Sequence, residues 1–401
     1  MKISGIICEY NPLHNGHVHH IQETRRHGAT HIICVLSSNF VQRGDVALLS
    51  KFDRAQLAVR AGADLVIELP VAFSCAAAED YAKGAISLLN SLGVVEALSF
   101  GSSTGRRETI QLLTEAAAST TEIYGDRIRE QMQQGISYPA AVWEIVRQRY
   151  GSQVADKMQD PNNLLAIEYM KAMQRQKVSF EPFTIPRRCV EHDSPLPKDE
   201  FASASFIRKA IAEHDPIYGS YIPDFCADLL LRRMKEGRTA NIGQLERAVL
   251  FKMRTVSFSE LMKLPDMTEA LAHRFIDNRN ANSLEEFYLK VGTKCYTMSR
   301  IRRLSMCAMI GIHRDIHRCM PPYARILSFS DRGREMLGMI QKKSAIPVNT
   351  SLAKLRDTSE VARAFALTEE RASHVYGLAQ QSISSAEEDY RARITMVEDR
   401  K

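Results

Sequence analysis

Apolar and polar positions fall into blocks that fit alternating strands and helices from the first residues onward. Ile3–Cys8, His31–Ser37, Asp64–Leu69 and Val95–Phe100 are short runs dominated by apolar residues, the pattern of strands buried on both faces. Between them lie segments that begin near Gly16, Ser50 and Ala77, where apolar spacing of three or four predicts amphipathic helices. Ser50 and Asp53 form an S-x-x-D start signal and Gly62 follows as a stop, because the two side chains can satisfy orphan amides at a helix N-terminus. The order βαβαβαβ predicts an α/β fold, a Rossmann-like doubly wound parallel sheet. Ligands of such sheets sit outside the carboxyl ends of the strands, where this chain places Glu9-Tyr10-Asn11, Ser37-Ser38-Asn39, Glu68 and Gly101-Ser102-Ser103.

Residues 106–176 read as mostly helical, and Val178–Ile185 returns to an apolar, aromatic strand that runs into Pro186-Arg187-Arg188. Another helix is predicted from near Ser203. Past residue 215 helical spacing dominates, through Asp224–Glu236, Ile242–Lys252, Phe258–Leu264, Met267–Asn278, Ser283–Val291 and Ser299–Ile310, with one β-α-β return at Ile326–Val348. A chain of 401 residues exceeds what one hydrophobic core serves. Two domains are therefore predicted: 1–215 built on the sheet, and a mainly helical carboxyl-terminal domain at 216–401.

Hydrophobic residues at 45% and charged residues at 25% are globular proportions. No run of about 18 apolar residues is present to span a bilayer, and the amino terminus lacks the apolar stretch and cleavage site of a signal peptide. A cytoplasmic protein is expected, with no membrane association and no obligate protein partner. The eight cysteines, at 8, 34, 75, 189, 226, 295, 307 and 319, form no Cys-x-x-Cys pair, so neither a disulfide frame nor a structural zinc site is indicated. The net charge of +6 is uneven: residues 1–200 hold 21 Lys and Arg against 23 Asp and Glu, whereas residues 201–401 hold 32 against 24. That excess suits a polyanionic partner for the second half.

Candidate chemistry begins where the first strand runs into Glu9-Tyr10-Asn11-Pro12-Leu13-His14-Asn15-Gly16-His17. In His14-Asn15-Gly16-His17, the glycine lets the backbone turn tightly and approach a phosphate, and the following helix N-terminus supplies free amides. Two imidazoles can neutralise charge that builds on departing pyrophosphate, which makes His14 and His17 the candidate catalytic residues. His19 and His20 turn to other faces of the helix and read as structural. The four histidines lack the His-Glu-x-x-His order, so no protein-bound zinc is expected. Magnesium would accompany ATP, because the triphosphate supplies most of its ligands.

Other segments carry two readings each. Ser37-Ser38-Asn39-Phe40-Val41-Gln42-Arg43-Gly44-Asp45 is a substrate loop or a solvated one. Asn162, in Asp160-Pro161-Asn162-Asn163-Leu164, is a helix cap or a base or ribose contact. Arg187 and Arg188 end a strand aimed at the same edge, and paired guanidiniums suit phosphate. Ser203-Ala204-Ser205-Phe206-Ile207-Arg208-Lys209 is a phosphate site or an ordinary capped helix with a basic turn. Lys294-Cys295-Tyr296-Thr297-Met298-Ser299-Arg300-Ile301-Arg302-Arg303, followed by Arg314 and Arg318, is a single-stranded RNA contact or a solvated basic helix. Lys294, Arg300, Arg302 and Arg303 are its candidate RNA contacts.

Taken together, the Glu9–His17 motif, Ser38-Asn39-Phe40-Val41-Gln42-Arg43-Gly44, Ala202–Lys209 and the basic Tyr-Thr-x-Ser-Arg-Ile-Arg-Arg segment resemble the bacterial tRNA(Met) cytidine acetate ligase family over essentially the whole chain. The His-x-Gly-His tetrad by itself marks the nucleotidylyltransferase superfamily. The resemblance implies a nucleotidylyltransferase-type sheet, with ATP as co-substrate and acetate activated to acetyl-adenylate with release of pyrophosphate. The acetyl group would then pass to the wobble cytidine of elongator tRNA(Met), giving N4-acetylcytidine. It implies ATP contacts at Ile7, Cys8, Glu9, Tyr10, Asn11, Pro12, Leu13, His14, Asn15, Gly16, His17, Val18, His19, His20, Gly101, Asn162, Arg187 and Arg188. The superfamily's Ser-Ser-Thr before Ile-Arg stands here as Ser203-Ala204-Ser205, so Ser205 is not carried over.

Two rival readings compete with this one. The first is a nucleotidylyltransferase that moves AMP or CMP onto a small phosphorylated acceptor; the long basic second half argues against it. The second is a non-catalytic RNA-binding protein with a vestigial nucleotide fold, against which stand both signature histidines and the arginine pair.

Overall fold

The first strand, β1 (Ile3–Cys8), lies inside a sheet between β2 (His31–Ser37) and β6 (Ala97–Ser102), parallel to both. The computed structural model describes residues 1–134, 136, 138–186 and 200–397. A two-stranded antiparallel hairpin, β3 (Phe40–Val41) and β4 (Asp45–Val46), follows β2. β5 (Leu65–Leu69) pairs parallel with β2, and β7 (Glu181–Pro186) pairs parallel with β6. Every residue of β2 and β5 is buried, which is why these strands read as continuous apolar runs. Alternate residues feed opposite faces: Ile33, Val35, Leu65 and Ile67 enter one core, and Ile32, Cys34, Leu36 and Val66 the other. The doubly wound sheet expected from the sequence is present.

Helices α1 (Asn15–Arg26) and α2 (Lys51–Arg60) make the first crossovers. Ser50 caps α2 by accepting from the Asp53 amide, and Gly62 beyond it sits at φ +111°, a conformation that favours glycine. Residues 106–176 fold as the helices Arg107–Gln133, Tyr138–Tyr150, Ser152–Gln159 and Pro161–Arg175.

The second half is helical through residue 310, and then the predicted β-α-β return joins the same sheet. β8 (Ala324–Phe329) pairs antiparallel with β5 across a register shift, while β9 (Val348–Asn349) and β10 (Thr395–Met396) lie parallel to β8. The path is β10-β8-β5-β2-β1-β6-β7, so one edge of an otherwise parallel sheet is antiparallel and comes from the carboxyl-terminal part.

A buried ionic knot binds the two halves. Lys51, Glu68, Arg325, Glu369 and Asp389 are each 3% exposed or less. Lys51 Nζ lies 2.5 Å from Glu68, 2.7 Å from Asp389 and 3.3 Å from Glu369, and Arg325 pairs with Glu68 at 3.2 Å and with Asp389. Three carboxylates face two cations. Burial, with the charge of Glu68, pushes the Glu369 carboxyl up to about 8. Burial would also raise Asp389, but Lys51 and Arg325 outweigh it and hold that carboxyl well below the usual range. The imbalance favours the protonated form of Glu369. Glu369 belongs to the helix Glu360–Leu378, which the periodicity of the sequence did not single out.

Among the described residues no helix is long and apolar enough to cross a membrane. The seven described cysteines are free, and Cys189 lies outside the described residues.

Candidate active site

β1 ends at Cys8, and the chain turns through Tyr10, at φ +47°, and a cis Asn11–Pro12 bond into α1. Asn11 fixes this turn from both sides: its Oδ1 accepts the Leu48 amide at 2.8 Å and its carbonyl accepts from Arg208 at 2.7 Å. His14 then becomes the N-cap. Its Nδ1 accepts the Gly16 amide at 3.1 Å, and its own amide donates to His17 Nδ1 at 3.3 Å, a reciprocal capping arrangement. The rings stack, with centroids 3.7 Å apart and planes inclined by 26°, and the Tyr10 ring sits 4.8 Å from His17. Because each Nδ1 accepts a backbone amide, the neutral form of each ring carries its proton on Nε2. The pair therefore presents N–H donors at a helix N-terminus, where the helix dipole already favours an anion.

These donors line a cleft with a cavity volume of about 240 Å³. Ile7, Cys8, Glu9, Tyr10, Asn11, His14, Gly16, His17, His19, His20, Gly101 and Asn162 all border it. The remaining candidates of this stretch support the turn from behind. Pro12 and Leu13 are buried, Val18 packs on the core, and Asn15 donates to the carbonyls of Glu200 at 3.1 Å and Ser220 at 3.3 Å. His20 Nε2 is 2.9 Å from Ser99 Oγ, and His19 meets Phe201 edge-on. Arg187 and Arg188 lie outside the described residues; Pro186, which ends β7, borders the cleft.

Asp160, not Asn162, caps the helix Pro161–Arg175, accepting the Asn162 amide at 2.8 Å, and Asn162 faces the cleft instead. Of the two cations after Ser203, Arg208 borders the cleft, whereas Lys209 sits on the exposed side, 3.8 Å from Glu213. An apolar wall of Tyr81, Phe100, Leu165, Tyr169 and Phe201 completes the lining. No motif marks these residues, since they come from separate elements and have the appearance of ordinary core positions.

Gln42 and Arg43, on the β3–β4 hairpin, also border the cleft. The Gln42 amide donates to Glu9 Oε1 at 2.8 Å. Fully buried Arg54 donates to the carbonyls of Leu49, Glu9 and Ser38 at 3.0, 2.6 and 2.6 Å, tying the ends of β1 and β2 together. Desolvation raises the Glu9 carboxyl above its usual range despite the Gln42 amide and the charges of Arg208, Arg54 and Arg43.

The basic cluster divides. Lys294 and Arg302 are exposed, the latter over the Tyr288 ring at 5.7 Å. Arg300 stacks over Tyr296 at 5.5 Å and donates to the Asp266 carbonyl. Arg303, grouped with them on sequence, is turned inward: it donates to the Gln42 carbonyl at 3.3 Å, and burial lowers its guanidinium. Its backbone is packed so closely on Gly44 that a Cβ there would lie 2.3 Å from the Arg303 nitrogen. Arg314 donates to the Met262 carbonyl, and Arg318 pairs with Asp315 at 3.2 Å.

Residues 1–391 match the model of the HIGH Nucleotidyl Transferase family. Over 97% of its length the chain is 34% identical to the tRNA(Met) cytidine acetate ligases of Alkaliphilus metalliredigens (strain QYMF) and Caldanaerobacter subterraneus subsp. tengcongensis, covering 97% and 98% of those proteins. The chain belongs to the tRNA(Met) cytidine acetate ligase family. Crystal structures of Thermotoga maritima TmcAL in the apo form and bound with alpha-thio ATP superpose with TM-scores of 0.94 and 0.91, at 27% identity over all of both chains. The family resemblance carried by the motifs holds over the full fold, including the carboxyl-terminal strands.

Proposed function

We propose that this protein activates acetate with ATP and transfers the acetyl group to the wobble cytidine of elongator tRNA(Met). The observation that carries the reading is the stacked His14–His17 pair, whose Nε2 donors meet a helix N-terminus inside the cleft. The names of the relatives and the alpha-thio ATP complex of T. maritima TmcAL support it.

In the first step an acetate oxygen bonds to the α-phosphorus of ATP and the bond to pyrophosphate breaks. The two histidines, the α1 amides and Arg208 stabilise the charge that gathers on the departing group. Arg187 and Arg188 are proposed to join them from the end of β7. In the second step the cytidine N4 attacks the acetyl carbon of the mixed anhydride and AMP leaves. Holding the two reactants together in a water-poor cleft supplies much of that acceleration. Lys294, Arg300 and Arg302 are proposed to hold the tRNA, within the region 216–401.

Magnesium fits as a companion of the nucleotide rather than as a resident ion. Among the described residues no group of three or more His, Cys, Asp or Glu is placed to hold a metal, and Glu9 supplies the one carboxylate among the described residues of the cleft lining.

Pyrophosphate exchange into ATP, with and without acetate, tests the first step; labelled acetate followed into tRNA tests the second. Acetate-dependent exchange with label on cytidine is expected. Exchange that ignores acetate would favour another adenylyl acceptor, and RNA binding without exchange would favour a non-catalytic protein.

A further inference from the structure

The acetyl transfer leaves one chemical task unassigned. The exocyclic nitrogen of cytidine is a poor base because its lone pair is delocalised into the ring, so the N–H proton must leave as the C–N bond forms. We infer that Glu9 is the base that takes this proton, an inference that rests on the acetyl-transfer reading above.

Geometry selects Glu9. It is the sole carboxylate among the described residues that line the cleft. The histidines beside it are committed otherwise: Nδ1 of His14 and of His17 each accept a backbone amide, and His20 Nε2 is shared with Ser99. His14 and His17 are thereby donors, suited to the phosphate of departing AMP, and the proton needs an acceptor elsewhere. The Gln42 amide fixes Oε1 of Glu9 at 2.8 Å, and a carboxylate has a second oxygen with which to accept. The hairpin that supplies this amide is itself held by the basic helix through Arg303. The base is thus positioned from the side on which RNA is proposed to bind.

The groups that face Glu9 are Arg43 on the hairpin, Arg54 on α2, Arg208 on the helix Ala204–Ala212, and Tyr81 on the helix Ala78–Ser91. The three cations favour the ionised carboxylate, and burial opposes them and prevails. A carboxylate raised in this way is a stronger base than one in water, as proton abstraction near neutral pH requires. The step balances: the N4 lone pair forms the bond to the acetyl carbon, the anhydride C–O electrons leave with AMP, and the proton passes to Glu9 and then to water. Acetate activation has no proton to remove, so the two half-reactions separate this role from others.

The test measures single-turnover transfer from synthetic acetyl-adenylate to elongator tRNA(Met), alongside acetate-dependent pyrophosphate exchange, across pH. Glu9→Gln keeps an acceptor for the Gln42 amide but cannot take a proton. It is expected to slow transfer by about 10²- to 10⁴-fold, a loss exceeding any loss in exchange at least about tenfold. Wild-type transfer should rise with pH through the ionisation of Glu9 and then level, and Glu9→Gln should abolish that acid limb. Glu9→Asp, which retains a carboxylate, should keep the limb at a reduced rate. Transfer by Glu9→Gln at the wild-type rate, or equal losses in both half-reactions, would overturn the inference. Absence of acetate-dependent exchange in the wild type would instead remove the acetate-ligase reading beneath it.

Discussion

Arg303 and Gln42 are joined across 3.3 Å, from the side chain of a helix at Met298–Ile310 to the main chain of the hairpin that borders the nucleotide cleft. The same hairpin residue donates its amide to Glu9. A cation that the sequence assigns to RNA therefore acts on the cleft.

Arg303→Met should consequently lower acetate-dependent exchange, an assay that contains no RNA, by roughly ten- to a hundredfold through misplacement of the hairpin. Arg303→Lys, which keeps a donor, should recover part of the rate. Neighbouring Arg302 is exposed, and Arg302→Met should weaken tRNA acetylation more than exchange, with a shallower salt dependence of tRNA binding. Equal behaviour of the two variants in both assays would refute this division.

Gly44 occupies φ +72° against the Arg303 backbone. Gly44→Ala has no room for its Cβ and adopts a backbone conformation that a side chain disfavours. Exchange should fall as in Arg303→Met. Far-ultraviolet circular dichroism should remain that of the wild type, because the hairpin has two residues in each strand.

His14 is the N-cap of α1 and is proposed to donate to phosphate as well. His14→Ala should cost about 1 kcal/mol in urea unfolding, the usual value of a lost cap, yet reduce exchange by about 10²-fold or more through the lost stabilisation of pyrophosphate. His17→Ala should share the catalytic loss.

The ionic knot predicts a two-sided pH profile of stability. Asp389 lies below its ordinary value, so its contribution is present above that value and is lost on acidification. Glu369 is raised from 4.5 to about 8, so the unfolded chain releases that proton first, and stability falls as pH rises across this window. Glu369→Gln should flatten the decline between pH 4.5 and 8 in urea titrations. Lys51→Met, which leaves buried carboxylates without their central cation, should destabilise by about 3–5 kcal/mol.

The βαβ core and its ligand edge were legible because β2 and β5 are buried on both faces and Ser50 announces α2. The His14–His17 turn was legible as a strand-to-helix junction because its motif follows an apolar run and precedes helical spacing. Arg303 was not, since its inward turn depends on the absence of a side chain at Gly44, more than 250 positions earlier. Lys51, Arg325, Glu369 and Asp389 were equally hidden: pattern reading places charged residues outside, and each becomes buried by meeting partners from distant segments. Tyr81 and Tyr169 line the cleft from helices whose periodicity predicts only a core.

The knot also sets a schedule for the protein's synthesis. Lys51 and Glu68 are made early, but Arg325, Glu369 and Asp389 emerge from the ribosome only after most of the chain. Until then the β5 edge of the sheet lacks β8, and Lys51 lacks two of its three carboxylates. A nascent chain halted before residue 324 holds the histidine turn complete in sequence, yet lacks β8, the strand that pairs with the β5 edge of the sheet.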